Sequence, residues 1–342
     1  MNCMGSWKPV AAMVAVEFAL SVVNILFKKA MDGGMNHGII LVYRQSISTI
    51  FLTPIACIWE RSSWCKLNIW LLGQIFLCAL FGMTLTQYLF LVGLDYTSAT
   101  FMCAFINTVP VFTFVLALTF GMESVKMNSK SGKAKLLGTL TCIVGVLMLA
   151  LYKGIPLLYS TADIGQNRKK SRNWGVGSVF LCAGGLAWSS WFLIQARIGQ
   201  NYPSQYSSTS IMSFFSAVQS VVLCLFTIDR KNMSSVWILT GELEILSVVY
   251  AGVVASGVCY VVMSCCVKQK GPVFTSAFTP LIQIFAAVFD VAVLHEEIYL
   301  GSIVGSLIVI AGMYFLLWGK SRDEETPRMD KNAAGQEQEI RI

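Results

Sequence analysis

Residues 9–28 read PVAAMVAVEFALSVVNILFK, an apolar run that carries one carboxylate, Glu17, and closes on Lys28. A helix rises 1.5 Å per residue, so this run covers about 30 Å, the thickness of the bilayer hydrocarbon core. A charge at mid-bilayer costs about 3 kcal/mol on the insertion scale. The Val, Leu, Ile and Phe residues between Val10 and Phe27 each contribute roughly 0.5 kcal/mol in the opposite direction. The segment therefore inserts, and Glu17 is expected to face protein rather than lipid. No small-residue cleavage site follows a short apolar region, so the run reads as a retained span and not a signal peptide.

Nine further stretches of similar character follow, at about 38–58, 69–91, 98–120, 136–152, 174–196, 206–228, 245–267, 272–294 and 300–318. The composition agrees with this reading. Of 342 residues, 56% are hydrophobic and only 13% charged, too few charges to cover a water-soluble surface of this size. The expected fold class is an all-α integral membrane protein of ten transmembrane helices. The net charge of +7 comes from loops and the tail, which is topological charge and no sign of nucleic-acid binding. With the N-terminus in the cytosol, fifteen Lys and Arg fall inside and nine outside, which predicts that both termini are cytosolic. The charged tail from about 319 reads as disordered.

The chain repeats itself. Adding 173 to Phe101, Ala104 and Glu123 gives Phe274, Ala277 and Glu296. Gly138 and Gly145 match Gly305 and Gly312 at an offset of 167. Each half carries a helix with a mid-span proline, a Glu, a short loop and a helix with two glycines seven apart. Five helices per half is odd, so the halves have opposite topology. Such inverted repeats are typical of secondary transporters, whose solute site lies at the repeat interface. The expected organisation is a first repeat at 7–152, a linker at 153–173, a second repeat at 174–318 and a tail at 319–342.

Polar residues inside the spans mark the candidate cavity. Glu17, Ser21, Asn24 and Lys28 share one helix face by 4-3-4 spacing. Glu17 is either a cavity or proton site or the centre of structural hydrogen bonds between helices. Span two opens with Tyr43-Arg44-Gln45, and Arg44 is close enough to the interface to snorkel. Gln87 lies in span three, Asn107 and Pro110 in span four, and Thr279, Pro280 and Gln283 in span nine. Pro110 and Pro280 each deprive the carbonyl four residues earlier, those of Ile106 and Ser276, of its partner. These prolines are either solute-binding breaks or plain kinks. Trp188, Trp191 and Gln195 share one face of span six, as solute contacts or as interface anchors. Thr209, Ser213, Ser216 and Ser220 read as small residues for close helix packing.

Catalytic motifs are missing. There is no GxSxG, no GxGD and no Walker loop, and His295-Glu296-Glu297-Ile298-Tyr299 has Tyr where a zinc-binding HExxH needs its second His. The eleven cysteines form no CxxC pair and fall largely in apolar runs, as small packing residues. No catalytic residue, metal ligand or cofactor is expected. Asn232 opens an Asn-Met-Ser sequon close to the end of span seven.

Several short stretches together resemble a known family. They are Tyr43-Arg44-Gln45, Glu60-Arg61, Thr97-Ser98-Ala99-Thr100-Phe101, Pro110-Val111-Phe112-Thr113-Phe114, Tyr152-Lys153-Gly154, Lys270-Gly271-Pro272-Val273-Phe274, Ile298-Tyr299-Leu300-Gly301 and Trp318-Gly319-Lys320. Over about residues 7–320 the chain is similar to the plant EamA-type transporters, the UMAMIT, nodulin-like or walls-are-thin-related branch of the drug/metabolite transporter superfamily. The resemblance implies two inverted five-helix EamA repeats and facilitated or proton-linked movement of amino acids or related small acids, often as export. It also implies a plasma-membrane or vacuolar location. The chain departs from many relatives in carrying Glu rather than Gln at Glu17.

The expected function is a secondary carrier of amino acids acting in export, with a small solute, protons and lipid as partners and no nucleic acid. A zwitterion needs an anion or carbonyl for its ammonium and donors for its carboxylate. Glu17 and the carbonyls released by Pro110 and Pro280 suit the first need. Asn24, Gln87, Asn107 and Gln195 suit the second. Transport of auxin or another small organic acid is the neighbouring alternative, and a non-transporting receptor or scaffold is the alternative of another class.

Overall fold

The computed structural model describes residues 8–61, 67–97, 99–122, 129–151, 173–227, 237, 239, 241–289, 300–301, 303–316, 318–319 and 322. Among these residues there is no strand. The chain runs through α1 (Lys8–Asp32), α2 (His37–Trp59), α3 (Ile69–Tyr96), α4 (Ala99–Ile106 and Val109–Thr119) and α5 (Lys130–Leu151). It continues as α6 (Trp174–Asn201), α7 (Gln205–Thr227), α8 (Glu242–Lys270), α9 (Pro272–Ser276 and Pro280–Phe289) and α10 (Ile303–Leu316). Six of them, α1, α2, α3, α6, α7 and α8, are long and apolar enough to cross a membrane. The linker at 153–172, Asn232 and most of the tail lie outside the described residues.

The surface carries many exposed apolar side chains, and the interior mixes apolar packing with numerous buried polar groups. Ile50, Ile58, Ile69, Val179 and Phe226 are all more than two-thirds exposed, a condition that lipid satisfies and water does not. Inside, small hydroxyls bind helices to each other. Ser48 and Ser213 join α2 to α7 at 3.0 Å, as do Thr53 and Ser210 at 2.9 Å. Thr84 joins α3 to Ser216 at 2.8 Å. Each such bond in a membrane is worth about 0.6 kcal/mol, two of them on the α2–α7 contact and one on the α3–α7 contact. The serine stripe predicted on span seven therefore packs as expected.

The glycine pairs at the matching offset also find their purpose. They face one another where α5 crosses α10. A Cβ on Gly138 would lie 2.5 Å from the Gly312 carbonyl oxygen, and one on Gly312 would lie 2.7 Å from the Cys142 nitrogen. Both obstructions are backbone, so only glycine permits this approach.

The halves pack in corresponding ways. The second piece of α4 packs on α6, as the second piece of α9 packs on α1. The C-terminal part of α3 packs on α6, as α8 packs on α1, and α2 lies along α7. Both α3 and α8 contain a π-helical stretch, at Leu80–Leu85 and Ala251–Cys259.

The helices that carry Pro110 and Pro280 are broken and not merely kinked, whereas α2 runs unbroken through Pro54. In α4 the helix stops at Ile106 and restarts at Val109, and the Thr108 nitrogen donates to the Phe105 carbonyl at 2.9 Å. In α9 residues 277–279 form the break. Here one expectation is corrected. The Ser276 carbonyl is not left open, because the Thr279 nitrogen at 3.1 Å and the Thr279 hydroxyl at 2.8 Å both donate to it. A Thr immediately before the proline supplies the donors that the proline lacks.

Candidate functional site

A cleft of about 70 Å³ opens inside the bundle. It takes Leu20, Val23 and Asn24 from the C-terminal half of α1, and Arg44 from the N-terminal half of α2. Thr86, Gln87 and Phe90 come from α3, and Met102 and Ile106 from the first piece of α4. Trp188, Tyr260 and Ile282 of the second half close the other side. The walls are thus mainly apolar, with a few convergent polar groups, the usual make-up of a small-molecule site.

Arg44 is the charge in this cleft. It is buried, and its Nε donates to the Ser256 hydroxyl at 2.6 Å. The guanidinium carbon stands 5.5 Å from the centre of the Phe27 ring, within reach of a cation–π contact. Among the described residues no carboxylate pairs with it, and its titratable neighbours are Tyr260 and Cys259. Arg44 therefore does not snorkel, contrary to the expectation from its place near a span end. Bonded partners in the interior hold it there.

A directed chain of hydrogen bonds forms the floor. Gln45 Nε2 donates to Gln87 Oε1 at 3.1 Å, Gln87 Nε2 donates to the Tyr260 hydroxyl at 3.4 Å, and that hydroxyl donates to the Gly82 carbonyl at 2.8 Å. Gly82 lies in the π-helical stretch of α3. Trp191 backs the chain with its ring edge-on to Tyr260, centroids 5.1 Å apart. On the cleft side Trp188 stands edge-on to Phe90 at 6.0 Å.

Of the residues singled out from sequence, Asn24, Arg44, Gln87 and Trp188 line the cleft. Glu17 does not. It is fully buried on α1, its carboxylate oxygens accept no hydrogen bond among the described residues, and Cys259 of α8 is its titratable neighbour. Asn107 and Pro110 are buried at the break of α4 behind the lining. Trp191 is wholly enclosed. Thr279 and Pro280 form the break of α9 and do not reach the cleft. The side chain of Gln283 lies outside the described residues.

Gln195 is a correction with a clear reason. Its Oε1 accepts from the Cys78 thiol at 3.6 Å and its Nε2 donates to Gln205 Oε1 at 3.2 Å, which fixes it to α3 and the start of α7, away from the cleft. Sequence reading missed Tyr260, Thr86 and Ser256. The available signal was Tyr260 itself, since a tyrosine deep in an apolar span needs a partner for its hydroxyl.

Fold and cleft together define a polytopic helical membrane protein with a small internal cleft walled by both halves of the chain. The EamA-like transporter family matches this chain twice, over residues 7–151 and 175–318. The WAT1-related protein At4g01440 of Arabidopsis thaliana is 48% identical over 94% of this chain and 88% of its own length. The WAT1-related protein At3g30340 of the same plant is 46% identical over 93% and 88%. A solved crystal structure superposes with a TM-score of 0.59 over 91% of this chain and 96% of that one, at 12% identity, a likeness of fold. The chain belongs to the EamA-like transporter family, and it is a multi-pass membrane transporter.

Proposed function

We propose that this transporter is a secondary carrier of amino acids, with the cleft as the solute site. The observation that carries this reading is Arg44, a buried guanidinium that lines the cleft with no carboxylate pairing it among the described residues. A solute carboxylate supplies the missing charge, and a guanidinium–carboxylate contact is among the strongest available hydrogen-bonded pairs. Ile106 supports a place for the ammonium group. Pro110 removes the donor that its carbonyl would otherwise meet, no described residue replaces it, and Ile106 lines the cleft. Leu20, Phe90 and Trp188 offer apolar surface to the side chain.

In this proposal all ten helical segments cross the bilayer as two five-helix units, 7–152 and 174–318, with both termini cytosolic and the plasma membrane as the site of action. Rocking of one unit against the other exposes the cleft to each side in turn. Glu17, buried apart from the cleft on the contact between α1 and α8, is the proposed proton carrier, and export is the proposed direction. A second reading, carriage of an indole or other aromatic acid, is favoured by the Trp188 and Phe90 rings in the wall.

Flux in proteoliposomes loaded with a labelled amino-acid mixture, with and without a proton gradient, tests the proposal. Amino-acid flux that indole-3-acetate competes weakly supports the first reading, and strong competition supports the second. Absence of flux for both solute classes would sink both substrate readings.

A further inference from the structure

Arg44 and Gln87 belong to the first half of the chain, yet the groups that orient them belong to the second. Ser256 and Tyr260 are four residues apart on α8 and so share a face. Ser256 lies within the π-helical stretch of α8 and Tyr260 directly follows it. The Ser256 hydroxyl takes the Arg44 Nε at 2.6 Å. That bond fixes the plane of the guanidinium and leaves its terminal nitrogens free of acceptors among the described residues. Tyr260, one turn on, takes the Gln87 amide at 3.4 Å and secures itself on the Gly82 carbonyl at 2.8 Å. With Gln87 Oε1 already receiving Gln45, the amide of Gln87 is held in one orientation.

We propose that Ser256 and Tyr260 are positioning residues for carboxylate recognition, so that α8 of the second half sets the affinity of the arginine in the first. The inference rests on the reading of the cleft as the solute site. A planar guanidinium meets a carboxylate through two parallel bonds only when its plane is fixed. Movement of α8 away from α2 withdraws the Ser256 hydroxyl, and the site loses its preference for a carboxylate in the same motion that changes its access. Affinity thereby follows conformation, as a carrier that must release its solute requires. Ser256 does not line the cleft, so its effect is exerted through Arg44.

The test is the preference for an acid over its amide. Uptake of a tritiated amino-acid mixture into proteoliposomes is inhibited with L-leucine or L-leucinamide, and with indole-3-acetate or indole-3-acetamide. The wild type favours the acid in at least one pair. Ser256→Ala lowers that preference about ten-fold, the scale of a lost hydrogen bond to a charged group, while maximal uptake changes less than about two-fold. Ser256→Thr, which keeps the hydroxyl, restores the preference. Tyr260→Phe shifts it in the same direction as Ser256→Ala. An unchanged preference in Ser256→Ala, or a Ser256→Thr variant as impaired as the alanine, overturns the inference and leaves the cleft reading standing. A wild type that takes acid and amide equally well overturns the cleft reading itself.

Discussion

Gly82 is the position where a single added methyl group should disturb both the fold and the site. A Cβ built there lies 2.0 Å from Trp191 Cδ1, 2.3 Å from Cγ and 2.8 Å from Cβ. Reaching ordinary van der Waals contact requires the ring to retreat by roughly 1.4 Å. Trp191 has no exposed surface, and Tyr260 at 5.1 Å and Phe192 at 5.0 Å hold its ring. Turning the ring leaves the Trp191 Cβ too close, so α6 itself must move away from α3. Overpacking of this type costs about 3 kcal/mol. Gly82→Ala should therefore lower stability by that amount when unfolding in mixed detergent micelles is followed by circular dichroism. In a Trp191→Ala background the same change should cost less than about 1 kcal/mol, a coupling of about 2 kcal/mol. Uptake should also fall, because Tyr260 rests on both Trp191 and the Gly82 carbonyl. A Gly82→Ala protein as stable as the wild type would refute the packing argument.

Three further outcomes are expected. Glu17→Gln should fold to wild-type yield, since the carboxylate oxygens accept no hydrogen bond among the described residues, and should change the pH profile of flux; an identical profile makes Glu17 structural. Glu60→Ala should cost about 1 kcal/mol in the same unfolding assay, because the Glu60 carboxylate accepts the Ser207 nitrogen at 2.7 Å and the Tyr206 nitrogen at 3.4 Å at the start of α7. Gly312→Leu should part α5 from α10 and reduce the yield of monodisperse protein, whereas Gly73→Ala, where an added Cβ meets nothing within 4 Å, should not.

The fold was legible because lipid enforces simple rules. Span length and the recurring proline and glycine pairs are local patterns, and the glycine pairs turned out to mark the crossing of α5 and α10. The candidate site was legible only in part, where a polar residue in an apolar span calls for polar company. Arg44 and Gln87 stand out in apolar helices whatever the tertiary arrangement. Gln195 stands out equally, but its destiny depends on Cys78 and Gln205, partners distant in sequence that no spacing rule reveals. The break of α9 was hidden for a similar reason, since Thr279 repairs the carbonyl that Pro280 deprives. Ser256 was invisible because a serine in a small-residue helix looks like packing until the arginine beside it is seen.

The central claim is that a solute carboxylate docks on Arg44 between the two halves, and uptake by Arg44→Gln measures it most directly. Gln keeps hydrogen-bonding capacity and removes the charge. The account predicts that saturable uptake of labelled amino acids or indole acids into proteoliposomes falls at least about ten-fold, with the protein still folded and monodisperse. Wild-type uptake and half-saturation in Arg44→Gln would contradict it.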